Sequence, residues 1–404
     1  MKVFVVSGKN PRLDPGGYAA YARVLGECLA ELGHDVHFVC FGPRDGRMDA
    51  RAGPIHVVGS RLLPCRTEFY PAWSALFART ILRMIPTTGT PVAVHGIGPW
   101  CLAGTIARER SRAVKVVASY FTTLRDEARG LSKGVAISDY GIGPKVRHLI
   151  GYLGVLATLD PIERYAVGGT ELVLVHYEYT RRLLIEGMGI DPSRIVKIPY
   201  AAGPEPKRGE SVRRADGPER FEILSVGRQE PRKGINVLLR ALRILRDRGV
   251  RFHATIIGSG SLLEAHRALA RRLALSDVVA FPGFVPDLAP YLGAADVFVL
   301  PSLQEGSGSI SLLEAMSAGL PPVVSACDGL PEDVQDGVNG LLAAPANPQH
   351  VADALESLFR DTTLRFRLGS AARESYRARF QSTAMSEALR HQYDGLFPRS
   401  FGDR

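Results

Sequence analysis

The side chains best suited to chemistry lie between Leu300 and Gly319, in the run LPSLQEGSGSISLLEAMSAG. An apolar strand ends at Leu300, a short loop rich in Gly and Ser follows, and apolar spacing then predicts a helix that ends at Gly319. A glycine-rich turn before a helix favours an anion, because backbone N–H groups point outward and the helix dipole is positive there. Glu305 and Glu314 flank this turn, and carboxylates accept hydrogen bonds from sugar hydroxyls. Phosphate together with sugar hydroxyls indicates a nucleotide sugar.

A second polar group follows an apolar strand at residues 221–226. Arg228 and Lys233 lie in the turn between that strand and an amphipathic helix. Fixed cations at this place would stabilise the negative charge that develops on a departing nucleoside diphosphate. Exposed arginine and lysine are also common on ordinary turns, so these residue types alone leave both interpretations open.

Both motifs resemble the donor site of the retaining glycosyltransferase family 4, which has the GT-B fold. The residues that carry the resemblance are Pro301-Ser302, Glu305-Gly306-Ser307-Gly308, Glu314-Ala315-Met316 and Gly319, together with Gly227-Arg228 and Lys233-Gly234. The two glutamates are nine positions apart here, one more than is usual in the family, which leaves the register of Glu305 open.

The resemblance implies a role for each of these residues. Arg228 and Lys233 are expected to stabilise the departing diphosphate and, with Glu305, are the predicted catalytic residues. Glu305 is expected to hold sugar hydroxyls, Glu314 the ribose, and the backbone near Val285 the base. The backbone of the loop is expected to hold the phosphates or the sugar, through Gly306, Ser307, Gly308 and Ser309.

The first half of the chain opens with a strand, a glycine-containing loop, a helix over about 18–32 and a second strand. This βαβ order is typical of nucleotide-binding units. The loop lacks the G-x-G-x-x-G fingerprint, which argues against a hydride-transfer enzyme. In family 4 the glycines that match Gly16 and Gly17 approach the donor phosphate. The alternative is that they only begin a helix.

Three further residues of the first half are assigned through the family. His95 matches a position that lines the cleft, although a lone histidine at a strand end is more often structural. Glu178 is a candidate for binding acceptor hydroxyls, and an exposed glutamate at a helix start is the alternative. Phe121 takes the place where many members carry a histidine that contacts the donor sugar and the acceptor.

The length of 404 residues favours two domains. We predict a first domain over 1–201, a linker over 202–219 that is rich in Pro, Gly and charge, and a donor-binding domain over 220–379. In the GT-B fold the last helix often returns to the first domain, so residues 380–404 are expected to pack there.

The amino-acid composition limits the classes of binding partner and the cellular location that we expect. The formal charge of +9 suits anionic nucleotides or a membrane surface. The chain has no basic cluster with interleaved aromatics, which argues against nucleic acid. Its five cysteines are scattered, and the sequence has no Asp-x-Asp motif in a suitable loop, so no metal site is predicted. The opening MKVFVVSG is typical of a first strand, so a cytoplasmic location is expected.

One segment leaves membrane contact open. Residues 60–85 mix arginine with Leu, Phe, Tyr and Trp. In this family such a segment can contact the acceptor or lie on the cytoplasmic face of a membrane. A helix packed on the sheet, with a hydrated basic face, explains the same composition.

Taken together, these features predict an α/β protein of the GT-B type, with two Rossmann-like domains facing a central cleft. The expected activity is retaining, metal-independent transfer of a hexose-type sugar from a nucleoside diphosphate sugar, with UDP or GDP as the expected carrier. No further cofactor is expected, and the acceptor is a sugar, a lipid-linked compound or a small molecule. The alternatives are a non-catalytic donor-binding subunit that needs a partner, and a phosphorylase or epimerase of the same fold.

Overall fold

The computed structural model describes residues 1–14, 16–86, 91–133, 139, 142–201 and 220–397. The chain divides into two compact units. The first comprises Met1–Arg125, Gly154–Gly203 and Arg379–Arg404, and the second comprises Asp126–Leu153 and Pro204–Ala378.

The first unit is built on an eight-stranded sheet with the order β3-β4-β2-β1-β5-β6-β7-β8. All neighbouring strands are parallel except β3, which runs antiparallel to β4. The central strands β1, β5 and β6 are almost wholly buried, because helices cover both faces of a parallel sheet. The strands are β1 (Lys2–Val6), β2 (Asp35–Gly42), β3 (Gly46–Ala50), β4 (Gly53–Gly59), β5 (Val92–Ile97), β6 (Val114–Tyr120), β7 (Leu172–Val175) and β8 (Ile195–Lys197).

The helices of the first half connect these strands. A π-helical turn at Val155–Leu159 joins the fifth helix to the sixth. The helices are α1 (Gly17–Glu31), α2 (Tyr70–Met84), α3 (Leu102–Arg110), α4 (Leu124–Lys133), α5 (Ile142–Gly154), α6 (Asp160–Gly168) and α7 (Glu178–Arg182).

The second unit contains a six-stranded sheet with the order β11-β10-β9-β12-β13-β14. All of its pairs are parallel. The strands are β9 (Phe221–Val226), β10 (Phe252–Ile257), β11 (Val279–Gly283), β12 (Val297–Leu300), β13 (Pro322–Ser325) and β14 (Leu341–Ala343). The remaining helices are α8 (Ile235–Asp247), α9 (Leu263–Arg272), α10 (Ala289–Ala294), α11 (Ile310–Ser317), α12 (Leu330–Asp333), α13 (Pro348–Arg360), α14 (Thr362–Arg379) and α15 (Ser382–Leu396).

The helix α8 shows why these segments fold as they do. Its sequence INVLLRALRILRD places apolar residues on one face at a period of 3.6. Leu238, Leu242 and Leu245 are fully buried in the core of the second unit. The same alternation of buried strands and amphipathic helices confirms the predicted fold class of two parallel-sheet α/β units.

The division into units differs from the predicted domains at one place. Residues 126–153 belong to the second unit, whereas the sequence analysis placed them in the first domain. Two hydrogen bonds explain the difference: Gln304 Nε2 donates to the Asp126 carbonyl at 2.7 Å, and Asn236 Nδ2 donates to Asp139 Oδ2 at 2.7 Å. The predicted linker at 202–219 lies outside the described residues.

The last helix, α15, belongs to the first unit. Tyr393 is buried there with its hydroxyl 2.8 Å from His95 Nδ1, and the Cys28 thiol lies 3.8 Å from the Ser382 carbonyl. These contacts involve residues far apart in the chain, so they link the C-terminal helix to the sheet of this unit.

Most of the segment 60–85 forms α2, and this helix packs on the sheet. Trp73, Phe77 and Ile81 are fully buried in the core of the first unit. These side chains of α2 are interior residues, whereas Leu62 and Phe69 earlier in the segment are 92% and 41% exposed, so membrane contact of 60–85 stays a prediction. Within the described residues, no helix combines the length and the apolar content needed to cross a membrane.

Candidate functional site

The candidate site lies where three neighbouring strands of the second unit end. Strand β12 pairs with β9 on one side and with β13 on the other. Because the strands are parallel, the loops that follow them meet at the same edge of the sheet, which is where open α/β sheets bind ligands. The predicted residues Arg228, Lys233 and Glu305 all lie in these loops.

The loop after β9 carries Lys233 into the interior. A short 3₁₀ turn at Pro231–Lys233 ends at Gly234, which has a φ of 64°. A Cβ atom at Gly234 would lie 2.0 Å from the Pro301 carbonyl oxygen, so only glycine fits here. This close approach holds Lys233 against the loop that follows β12.

Lys233 and Glu305 form a buried ion pair. Lys233 Nζ donates to Glu305 Oε1, and the Ser302 hydroxyl donates to Glu305 Oε2 at 2.7 Å. The two charged side chains are 9% and 5% exposed, respectively. Burial lowers the pKa of Lys233, and the Glu305 carboxylate opposes that shift. The pair therefore fixes one cation at the edge of the sheet.

The loop after β12 is anchored by a carboxylate from the loop after β13. Asp328 Oδ2 accepts the backbone N–H of Glu305 at 2.6 Å and that of Gly306 at 2.9 Å. Asp328 has a φ of 51°, a left-handed conformation that residues other than glycine rarely adopt. The Gly306 N–H is thus occupied by a protein carboxylate, which differs from the prediction that it faces a phosphate.

The rest of this loop leads into α11. Ser307 and Ser309 are buried, and Ser309 Oγ lies 3.0 Å from Ser311 Oγ, which donates to the Val226 carbonyl at 2.9 Å. The first turn of a helix leaves its N–H groups without partners inside the helix. In the described part of the chain no acceptor lies within hydrogen-bonding distance of the Ser307 or Gly308 N–H. These N–H groups are suited to an anion.

Glu314 lies on α11 and is half-buried. Burial raises its pKa to about 7. Among the described residues, no cation or hydrogen-bond donor contacts its carboxylate. A carboxylate held without a protein partner is suited to accept hydroxyl groups from a ligand.

Arginine side chains border the buried pair. Arg228 is 55% exposed, and its guanidinium donates to Glu230 Oε1 at 2.7 Å and to Glu127 Oε1 at 3.4 Å. Arg232 is 12% exposed, with Nη2 lying 3.8 Å from Glu127 and Nη1 donating to the Gln304 carbonyl at 3.4 Å. The site thus presents three cations in the space of six residues, and the exposed Arg228 pairs can exchange for phosphate at little cost.

The predicted base-binding position lies after β11. Val285 is half-buried and its neighbour Phe284 is 59% exposed. The sequence-based role for the backbone at Val285 stays a prediction.

Four predicted residues lie in the first unit. Gly16 has a φ of 102°, and both Gly16 and Gly17 are exposed at the start of α1. Glu178 is the first residue of α7, and its carboxylate accepts a hydrogen bond from Arg181 Nη1 at 3.2 Å. The predicted substrate contacts of these three residues stay predictions.

The position of the fourth residue, His95, contradicts the prediction that its side chain lines a cleft and binds substrate. Its side chain is fully buried, with Nδ1 lying 2.8 Å from the Tyr393 hydroxyl and Nε2 lying 2.7 Å from Ser119 Oγ. The Tyr21 hydroxyl completes the network at 2.8 Å from the same Ser119 oxygen. Burial lowers the pKa of His95 to about 3, so the imidazole is neutral. Both nitrogens are occupied inside the core, and none is left for a substrate.

This network predicts a stability effect at Tyr393. Tyr393→Phe removes the hydroxyl partner of the buried His95 Nδ1, and we expect a loss of about 1–3 kcal/mol in the free energy of unfolding. Urea denaturation of both proteins measures it. Tyr291→Phe is the matched control, because the Tyr291 side chain is half-buried and its hydroxyl bonds no described residue. Equal stability of Tyr393→Phe and wild type would show that this hydrogen bond makes no net contribution to the free energy of unfolding.

Phe121 lies among aromatic rings at the end of β6. Its ring centroid is 4.7 Å from that of Tyr21, 5.2 Å from that of His176 and 5.8 Å from that of Tyr200. His176 is buried, and burial lowers its pKa to about 4. The His176 imidazole beside Phe121 is therefore neutral near pH 7.

Among the residues that the structure describes, no group of three or more His, Cys, Asp or Glu side chains is placed to hold a metal ion.

Two family models match the chain. A glycosyl transferase 4-like domain matches residues 16–201, and the glycosyl transferases group 1 domain matches residues 210–375. The chain belongs to the group 1, family 4-type glycosyltransferases. The two matches together reach both units, and the second contains Arg228, Lys233, Glu305 and Glu314.

Known relatives agree with this family. A D-inositol 3-phosphate glycosyltransferase of Corynebacterium jeikeium is 32% identical over 253 residues, which cover 58% of this chain and 60% of that protein. The match thus spans less than two thirds of the length of this curated relative.

Solved structures agree with the fold. Sucrose-phosphate synthase from Thermosynechococcus elongatus has a TM-score of 0.78 at 22% identity, covering 99% of this chain and 100% of that one. Anabaena Alr3699/HepE in complex with UDP and glucose has a TM-score of 0.70 at 19% identity, covering 98% and 99% of the two chains. The predicted GT-B fold of this glycosyltransferase is therefore confirmed.

Some residues of the site were not predicted from the sequence. Ser302 and Asp328 lie in motifs that match the family, and Arg232 immediately precedes Lys233, so a local signal existed for all three. Glu127 had none: it lies 101 residues before Arg228, and only folding brings their side chains together.

Proposed function

We propose that the protein transfers a hexose-type sugar from a nucleoside diphosphate sugar to an acceptor hydroxyl, with retention of configuration and without a metal ion. The observation that carries the proposal is the buried Lys233–Glu305 pair at the edge of the second sheet, next to Arg228 and the Ser307–Gly308 N–H groups. Retention rests on the resemblance to family 4. Metal independence rests on the lack of an Asp-x-Asp motif in the sequence and on Arg228 and Lys233, which would take the place of a metal. Both stay predictions.

The chemistry explains why a fixed cation is needed. The bond from the anomeric carbon to the diphosphate oxygen breaks, and the diphosphate leaves with the bonding electrons. A new bond forms from the anomeric carbon to the acceptor oxygen, and the proton of the acceptor hydroxyl passes to the departing phosphate oxygen. Lys233 is already held in place by Glu305 and Ser302, so it stabilises the developing charge without reorganising. Arg228, which is more exposed, supplies a second cation.

Glu305 takes a role in this proposal that differs in part from its sequence-based assignment. Both of its carboxylate oxygens are occupied by protein groups, and its side chain is 5% exposed. We therefore infer that Glu305 acts as a positioning residue for Lys233. Glu314, which has no described partner, is the better candidate for ligand hydroxyls.

The donor is proposed to be a UDP or GDP sugar. A structural neighbour from Anabaena contains UDP and glucose, which supports a nucleoside diphosphate ligand for this fold. The acceptor is proposed to be a sugar, a lipid-linked compound or a small molecule, and the protein is proposed to work in the cytoplasm.

A binding experiment tests this proposal. The melting temperature is measured with UDP, GDP, ADP and TDP, each with and without magnesium. We expect one nucleotide to raise the melting temperature by a few degrees, since a ligand at about 100 times its Kd stabilises by about 2.7 kcal/mol. The shift should persist with a chelator. No shift with any nucleotide would contradict the proposed donor site.

A second candidate is a non-catalytic donor-binding subunit. Phe121 favours it, because Phe121 takes the place of the family histidine and the imidazole in contact with it, that of His176, has its pKa lowered by burial to about 4. A transfer assay on the purified single chain separates the two functions. Sugar transfer by the chain alone supports the enzyme, and binding without transfer supports the subunit.

A further inference from the structure

The helix α5 exposes a row of large apolar side chains. They recur at spacings of four, three, one and three residues, which places them on one face of the helix. Their exposed fractions are between 46% and 68%. The residues are Ile142, Val146, Leu149, Ile150 and Leu153, and they are called the α5 stripe below.

The other side of α5 is held by the second unit. Lys145 Nζ donates to the Ser132 carbonyl at 2.7 Å. His148 is half-buried, burial lowers its pKa, and the nearby Glu230 carboxylate partly opposes that shift. The helix is therefore anchored through its polar side, and the α5 stripe faces outward. A contiguous apolar surface of this kind is uncommon on a protein that has no partner there.

Charge around the stripe identifies the kind of partner. The sequence contains no acidic residue between Asp139 and Asp160, while Lys145 and Arg147 lie within α5. Arg147 is exposed, and the whole chain carries a formal charge of +9. An apolar stripe on a helix that carries basic residues and no acidic residue of its own is the pattern that binds the interface of an anionic bilayer. Two copies of this surface would repel each other, which disfavours self-association through it.

We propose that the α5 stripe docks on an anionic lipid surface, with the five apolar side chains entering the headgroup region and Arg147 contacting lipid phosphates. The site differs from the 60–85 segment, in which Trp73, Phe77 and Ile81 lie in the core. The proposal goes beyond sugar transfer and does not depend on it, because docking needs only this surface.

Cosedimentation with lipid vesicles tests the docking. The full chain is mixed with vesicles of phosphatidylcholine alone or of phosphatidylcholine with about 30% phosphatidylglycerol, an anionic fraction chosen to give a negative surface potential. We expect the wild type to bind the anionic vesicles and not the neutral ones. Failure to bind anionic vesicles, or equal binding to both, would overturn the proposal.

Variants locate the contact. Ile150→Glu should reduce the partition coefficient at least about tenfold, because it removes apolar area and adds a charge of the wrong sign. Phe366→Glu is the matched control: Phe366 is 63% exposed on α14, and its replacement should leave binding unchanged. Arg147→Glu should weaken binding and reduce its dependence on salt. Equal losses in Ile150→Glu and Phe366→Glu would overturn the assignment to α5.

Two further readouts keep the result unambiguous. The nucleotide-induced rise in melting temperature should be the same in Ile150→Glu and wild type, which separates lipid docking from the donor site. Size-exclusion chromatography over a range of concentrations tests the other occupant. A wild-type dimer that Ile150→Glu dissociates would identify a second copy as the partner and contradict the lipid proposal.

Discussion

Lys233→Ala is expected to lower kcat/KM for sugar transfer by about 10²–10³-fold, the range found when a fixed group that stabilises transition-state charge is removed. The ammonium group lies at the edge of the second sheet, held by Glu305 and, through it, by Ser302. Its loss leaves Arg228 as the more exposed cation, and an exposed group stabilises charge less well in the presence of water.

The same substitution should also destabilise the fold, by about 3–5 kcal/mol, because Glu305 would remain buried without its partner. The double variant Lys233→Ala/Glu305→Gln separates the two effects. It removes the unpaired charge, so we expect stability to recover while activity stays low. Urea denaturation and initial rates measure both quantities on the same preparations.

Arg246→Ala is the control for Lys233. Arg246 pairs with Asp277 on the surface, so its loss should cost less than about 1 kcal/mol and leave the rate unchanged. If Lys233→Ala kept the wild-type kcat/KM while losing stability, the ion pair would be structural only. The proposed role of Lys233 in diphosphate departure would then be wrong.

Glu314→Gln is expected to stabilise the protein at pH 8 and to remove one pH dependence. Burial raises the Glu314 pKa from 4.5 to about 7, so between these values the folded protein binds a proton that the unfolded chain does not. Stability from this group is therefore present below pH 4.5 and is lost as the pH rises to 7. At pH 8 this pKa shift corresponds to a loss of at most about 3 kcal/mol in the free energy of unfolding. The Glu314→Gln variant has no carboxyl group to ionise there and avoids this loss.

Nucleotide affinity, unlike stability, should increase as the pH rises and Glu314 loses its proton. If the Glu314 carboxylate accepts the ribose hydroxyls, the charged form binds better, and affinity should rise about tenfold between pH 6 and pH 8. Calorimetric titration of wild type and Glu314→Gln measures the difference. The titration of the nucleotide phosphate is common to both proteins and cancels. Glu264→Gln, at a 78% exposed position, is the control. Parallel pH profiles for wild type and Glu314→Gln would exclude Glu314 from the binding site.

The local sequence determined the elements and the loops that carry the site. Alternating apolar strands and amphipathic helices, such as Phe221–Val226 followed by Ile235–Asp247, depend on spacing within a few residues, so the α/β class could be predicted. Gly234 and the Ser307–Ser309 run likewise mark turns through backbone freedom and small side chains, which are properties of the residues themselves. Lys233 and Glu305 could be selected because their motifs lie directly after strands.

Only the tertiary structure decided which of these groups meet. The Lys233–Glu305 pair joins residues 72 positions apart, because β9 and β12 are neighbours in the sheet although two strands separate them in sequence. His95 was misassigned because its burial depends on Tyr393, which lies 298 residues further on. The α5 stripe could not be separated from an ordinary core helix, since apolar periodicity gives the face of a helix and only packing decides whether that face is covered.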